Sequence, residues 1–139
     1  MARLVLLVDD DPLILDLLEA EFTDAGFDVV IAAHGAHALA EINANALQFS
    51  AIVTDIALDP LLDPLGSDGW EIVRQAREIA PDIPVVYVSG VSAEEWQSKG
   101  VPNSVMIAKP FVVGELIAAV TLLLAEGDRE ALPQNPIPI

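Results

Sequence analysis

The chain has no cysteine among its 139 residues, which removes disulfides, thiol nucleophiles and zinc–thiolate centres from consideration. It is also poor in positive charge. Six Lys and Arg stand against 22 Asp and Glu, for a formal charge of −16. Nucleic acid is bound through clustered cations that displace counterions, so it is not an expected partner. An anionic membrane surface is disfavoured for the same reason. No apolar stretch approaches the ~20 residues of a membrane span. The N-terminus meets three aspartates too early for a signal peptide. These absences lead to the expectation of an acidic, cytoplasmic, single-domain protein. Its 53% hydrophobic content is enough to bury a core.

What is present is an alternation of short buried runs and helical stripes. Leu4–Val8, Asp28–Ala32, Phe49–Thr54, Pro84–Ser89 and Val105–Ala108 read as strands, rich in β-branched residues. Between the first two lies a predicted helix with Asp11 as its cap and Pro12 at its first position. Its apolar face is expected to be Leu13, Ile14, Leu17, Leu18, Phe22 and Ala25, closed by Gly26. Ala36–Leu47 is the next helix, with Leu39, Ile42 and Leu47 as buried candidates. Trp70, Val73, Ala76 and Ile79 outline a third, which Ala80-Pro81 stops. Ser92–Gly100 reads as a short helix anchored by Trp96, and Leu116, Ile117, Val120, Leu123 and Leu124 stripe a last one. Trp70 and Trp96 are expected to be packing anchors. Five strands alternating with helices predict an α/β fold, a doubly wound parallel sheet with helices on both faces. Residues 1–126 form the expected domain, and 127–139 a flexible, proline-containing tail.

Three of the buried runs end on charge. Val8 leads into Asp9-Asp10-Asp11, Thr54 into Asp55, and Ala108 into Lys109. In open parallel sheets ligands bind at the carboxyl ends of the strands, where all of these residues fall together with Ser89. Asp9, Asp10 and Asp55 offer hard oxygen ligands of the kind Mg²⁺ takes along with water and phosphate oxygens. A carboxylate beside such an ion can attack a phosphoryl group to give an acyl phosphate. Lys109 is the candidate cation for the phosphoryl oxygens, with the Ser89 hydroxyl as a neutral donor. His34 and His37 lack a third ligand at suitable spacing and read as a loop and helix start.

This set of residues resembles the receiver domain of two-component response regulators, from Arg3 to about Glu126. The matching pieces are Val8-Asp9-Asp10, Asp55, Val88-Ser89-Gly90 and Ala108-Lys109-Pro110-Phe111, with Gly35, Ala38 and Leu39 at the entry to the second helix. The resemblance implies a flavodoxin-like sheet of order 2-1-3-4-5. It implies that Asp55 accepts a phosphoryl group from a sensor histidine kinase or histidine phosphotransfer protein. Asp10 and Asp55, with the backbone carbonyl of Ala57, would hold Mg²⁺ directly and Asp9 mainly through water, and Ser89 and Lys109 would contact the phosphoryl oxygens. The output would be a change in affinity for an unknown downstream protein, not turnover of a separate substrate.

Two positions depart from the family pattern. Asp55 reaches Asp68-Gly69 only after about six extra residues around Asp59–Pro64, an acidic insertion with two prolines that is expected to alter partner choice or access. Met106 stands where the family often has an aromatic residue, which puts the usual route of output in question. Other readings are a Mg²⁺-dependent aspartyl-phosphate phosphatase, a pseudo-receiver that only binds partners, and a receiver cut from a larger sensor kinase. The phosphatase class carries a second aspartate where this chain has Ala57. Intact Asp55 and Lys109 weigh against the pseudo-receiver. Met1 and the polar ending read as a complete small protein.

Overall fold

Five parallel strands, β1 (Leu4–Val8), β2 (Asp28–Ala32), β3 (Phe49–Asp55), β4 (Val85–Ser89) and β5 (Ser104–Ala108), lie in the order β2-β1-β3-β4-β5. The structure, a computed structural model, describes residues 3–58, 68–90, 96 and 99–131, side chains of 128–131 excepted. Four helices belong to the described residues: α1 (Pro12–Asp24), α2 (Gly35–Asn45), α3 (Gly69–Ile79) and α4 (Val113–Ala131). The insertion at Asp59–Pro64 and nearly all of the helix expected over Ser92–Gly100 lie outside them. Among the described residues no helix is long and apolar enough to cross a membrane.

The chain reverses direction across the sheet at β1. Its neighbours are β2 on one side and β3 on the other, so the loops leaving β1 and β3 diverge and open a crevice between Val8 and Asp55. Two cores enclose the sheet. On one face Leu6, Val8, Ile52, Val85 and Tyr87 pack against Ile42 of α2 and Trp70, Ile72, Val73 and Ala76 of α3. On the other, Val5, Leu7, Val53, Val86 and Val88 meet Leu15, Leu18 and Phe22 of α1 and Leu116, Val120 and Leu123 of α4. The central strands are buried on both sides, which is why they read as unbroken apolar runs.

Helix starts follow their caps. The Asp11 side chain accepts from the Leu13 amide at 2.9 Å with Pro12 at the first helical position, and Asp68 accepts from the Glu71 amide at 3.0 Å. His34 caps α2, its Nδ1 accepting from the His37 amide at 3.2 Å.

Five apolar residues assigned inward by periodicity face water instead: Leu13 is 78% exposed, Leu17 49%, Leu47 79% and Ile79 40%, and Ala25 is exposed as well. In α1 nearly every early residue is apolar, so the pattern fits two neighbouring faces. The sheet takes the one that carries Leu15, Leu18 and Phe22. Leu47 falls after α2 has ended, in a short 3-10 turn over Ala46–Gln48 that buries Ala46. At the other end of the chain α4 continues to Ala131, five residues beyond the expected limit at Glu126. Gly127 is tolerated, Arg129, Glu130 and Ala131 are good helix formers, and Pro133 is the first proline in the stretch.

Candidate functional site

Each residue of the site is set by the strand it ends. The Asp9 amide donates to the Ala32 carbonyl at 3.2 Å, Ile56 to Val88 at 3.1 Å and Lys109 to Ser89 at 2.9 Å. The ladder therefore continues one residue past each strand and fixes the backbone from which the side chains project. Lys109 precedes Pro110 through a cis peptide bond.

Asp55 is 4% exposed, and its two carboxylate oxygens have separate partners. Oδ2 accepts from Lys109 Nζ at 2.8 Å, and Oδ1 from the Ala57 amide at 3.3 Å. Asp9, 2% exposed, accepts from the Asp11 amide at 2.9 Å through Oδ1. Asp10 is half-buried. Ser89 is buried as the last residue of β4, beside the end of β3, where Asp55 and Val88 are in register. Carboxylate oxygens of Asp9, Asp10 and Asp55 lie within 4.8 Å of one another.

Three carboxylates around one ammonium are electrostatically frustrated. At ~5 Å and an effective dielectric of ~20, each carboxylate pair repels by roughly 3 kcal/mol. The proton affinities record it. Burial pushes Asp9 up to about 6; the Asp11 amide and Lys109 oppose this, while Asp55 and Asp10 add to it. Burial also raises Asp55 above the usual carboxylate range, against the hydrogen bond and charge of Lys109. Lys109 loses some proton affinity to burial but gains more from Asp55, Asp9 and Asp10, so it is raised as well. The two directions agree physically: desolvation dominates at the buried carboxylate, and ion pairing at the ammonium, whose side chain is 33% exposed. The donor set is all hard oxygen, and a small divalent cation such as Mg²⁺ fits both its chemistry and its excess negative charge.

The structure thus brings Asp9, Asp10, Asp55 and Lys109 together and places Ser89 and Ala57 at the same edge. Of Ala57, the described contact is its amide on Asp55. The histidines stay apart from the site: His37 Nε2 faces Glu41 at 3.5 Å, and the one carboxylate or histidine trio found among the described residues is Asp9, Asp10 and Asp55.

Two features escaped the sequence. Gly69 sits against the loop after β3, its amide donating to the Ile56 carbonyl at 2.9 Å. The pair Asp68-Gly69 was visible as a motif, but nothing in it signalled that contact. The second is an apolar groove of about 470 Å³ beside Lys109, lined by Ile14, Leu17, Pro110, Phe111 and Val113. The misassigned face of α1 had hidden it.

Comparison with known proteins agrees with this geometry. Residues 5–121 match the response regulator receiver domain family. The transcriptional regulatory protein PrrA of Mycobacterium leprae is 38% identical over 122 residues, covering 86% of this chain and 49% of the relative. CusR of Escherichia coli K12, also a transcriptional regulatory protein, is 30% identical over 125 residues, covering 88% of the chain and 52% of the relative. The chain therefore spans about half the length of such relatives. Among solved structures, a response regulator receiver protein from Sinorhizobium medicae superposes with a TM-score of 0.80 at 42% identity, covering 89% of this chain and 95% of that one. A CheY-like receiver domain protein from Methanospirillum hungatei gives 0.79 at 26% identity, covering 94% and 100%.

Proposed function

Because the chain belongs to the response regulator receiver domain family, we propose that it is a phosphorylation-driven switch whose acceptor is Asp55. The donor is the phosphohistidine of a sensor histidine kinase or histidine phosphotransfer protein. In the transfer an Asp55 carboxylate oxygen forms a bond to phosphorus, the nitrogen–phosphorus bond of the donor breaks, and the released imidazole nitrogen takes up a proton. Asp9, Asp10 and Asp55, with the backbone carbonyl of Ala57, would hold Mg²⁺. When bound, that ion offsets negative charge on the phosphoryl oxygens.

The chain's own residues do the rest. Lys109, already 2.8 Å from Asp55, supplies a fixed positive charge beside the attacking carboxylate and pairs with the phosphoryl group afterwards. The Ala57 amide holds the other carboxylate oxygen in place. Ser89 offers its hydroxyl to a phosphoryl oxygen from the neighbouring strand. The observation that carries this reading is the buried Asp55 carboxylate paired with Lys109 inside a carboxylate cluster.

The groove beside Lys109 supports a docking place for the donor. Leu17, Phe111 and Val113 give it an apolar lining, and Lys109 both lines it and reaches Asp55. A protein seated there presents its phosphohistidine to the site. Acetyl phosphate and Mg²⁺ test the chemistry: wild type should acquire a hydroxylamine-labile acyl phosphate, and Asp55→Asn should not. A hydroxylamine-stable product would contradict the reading.

A further inference from the structure

Thr54, the residue before Asp55 in β3, is fully buried. Its register partners on the flanking strands are Val8 and Tyr87, both buried, so its hydroxyl is shut away from water. A buried hydroxyl needs a hydrogen-bond partner. This one is local: Oγ1 donates to the carbonyl of Asp55 at 2.9 Å. Valine would fill the same space in a strand without that bond.

Alternation along β3 puts Thr54 on the face of Ile52 and Ile56, which α3 covers. Gly69, at the start of α3, closes on the same oxygen, since a Cβ there would stand 2.4 Å from it. The Asp55 carbonyl is thus held between the Thr54 hydroxyl and the first residue of α3.

A peptide unit is planar and stiff, so contacts at its two ends fix its tilt. The unit joining Asp55 to Ile56 has its carbonyl on Thr54 and its amide on the Val88 carbonyl, at 3.1 Å. The next unit, Ile56 to Ala57, has its carbonyl on the Gly69 amide at 2.9 Å and its amide on Asp55 Oδ1 at 3.3 Å. Together they carry the chain from the acceptor to the Ala57 carbonyl, the backbone ligand proposed for Mg²⁺. Of these contacts, Val88 and Gly69 give backbone groups and Asp55 its own carboxylate. The Thr54 hydroxyl is the contribution of another side chain.

We propose that Thr54 is a positioning residue for the metal: its hydroxyl sets the tilt of the Asp55–Ile56 peptide unit and, through the unit after it, the placing of the Ala57 carbonyl relative to the Asp55 carboxylate. Mg²⁺ demands near-ideal octahedral geometry at short range, whereas Ca²⁺ accepts irregular ligands. A loosened carbonyl therefore costs Mg²⁺ more than Ca²⁺. This rests on the metal-assisted phosphoacceptor role given to Asp55.

Metal binding to the unphosphorylated protein tests it. The EPR signal of free Mn²⁺ reports occupancy, and Mg²⁺ and Ca²⁺ are titrated against that probe. Thr54→Val should bind Mg²⁺ about three- to tenfold more weakly, the worth of one neutral hydrogen bond, with a smaller loss for Ca²⁺. Thr54→Ser keeps the donor and loses a buried methyl group, so it should melt lower in chelator yet bind Mg²⁺ like wild type. Thr54→Ala, donor-free and smaller, should match Thr54→Val in affinity and Thr54→Ser in melting. Wild-type Mg²⁺ affinity in Thr54→Val or Thr54→Ala, a weakened affinity in Thr54→Ser, or equal losses for Mg²⁺ and Ca²⁺ would overturn the proposal alone. No Mn²⁺ binding by wild type, or undiminished binding by Asp10→Asn, would overturn the metal site and this proposal with it.

Discussion

The carbonyl oxygen of Asp55 leaves no room for a side chain at Gly69. A Cβ there would stand 2.4 Å from that oxygen and 2.8 Å from the Cα of Ile56. Both obstacles are backbone, so neither can swing aside. Gly69→Ala should push α3 away from the loop after β3, at a cost of roughly 1–3 kcal/mol. The same displacement should slow phosphorylation of Asp55 by acetyl phosphate. Thermal melting and the phosphorylation rate check the two effects, and a variant with wild-type values for both would rule out this role for the contact.

Asp9 makes metal-free stability depend on pH. Its folded pKa of about 6 stands above the 3.8 of an ordinary aspartate. Between those values the folded state keeps a proton that the unfolded chain has released, so stability falls as pH rises from about 4 to 6. Near pH 7 the loss reaches roughly 3 kcal/mol. Denaturant unfolding in chelator should show wild type weaker at pH 7 than at pH 5, and Asp9→Asn much less sensitive. Added Mg²⁺ should stabilise wild type at pH 7 more than it stabilises Asp9→Asn.

Opposite substitutions at the ion pair should have opposite effects. Asp55→Asn removes one of the carboxylates around Lys109 and should stabilise the metal-free protein at neutral pH. Lys109→Met leaves Asp55 buried without its cation. The cost should fall below the ~3–5 kcal/mol of a fully buried pair, because Lys109 is partly solvated. Chemical denaturation of both variants gives the comparison. Equal shifts of the same sign would contradict the electrostatic account of the cluster.

Leu17 and Leu15 are two apart in α1 and should behave differently. Leu15 is 4% exposed, so Leu15→Ala should cost about 2–5 kcal/mol. Leu17→Ser, at the rim of the groove, should change stability by less than about 0.5 kcal/mol. It should nevertheless slow transfer from a phosphohistidine donor protein while leaving the acetyl phosphate reaction unchanged. An equal effect on both donors would place the defect in the site and not in docking.

The strands were legible because parallel strands buried on two faces leave continuous apolar runs, and the charge that ends each run marks the edge. Asp9, Asp10, Asp55 and Lys109 could therefore be placed together before any geometry was known. Helix faces were harder where apolar residues were too many. In α1 the choice between the Leu15 and Leu17 faces is made by the sheet and not by the helix. The end of α4 was set early because polar residues were taken for tail. Gly69 and Thr54 mark a different limit: a close backbone approach and a buried hydroxyl turned onto its neighbour's carbonyl are properties of packing, and no spacing in the sequence encodes them.

Intact mass after incubation with acetyl phosphate and Mg²⁺ bears most directly on the central claim. Wild type should gain the mass of one phosphoryl group and Asp55→Asn none. The absence of that gain in wild type, or its persistence in Asp55→Asn, would contradict the assignment of Asp55 as the phosphoacceptor.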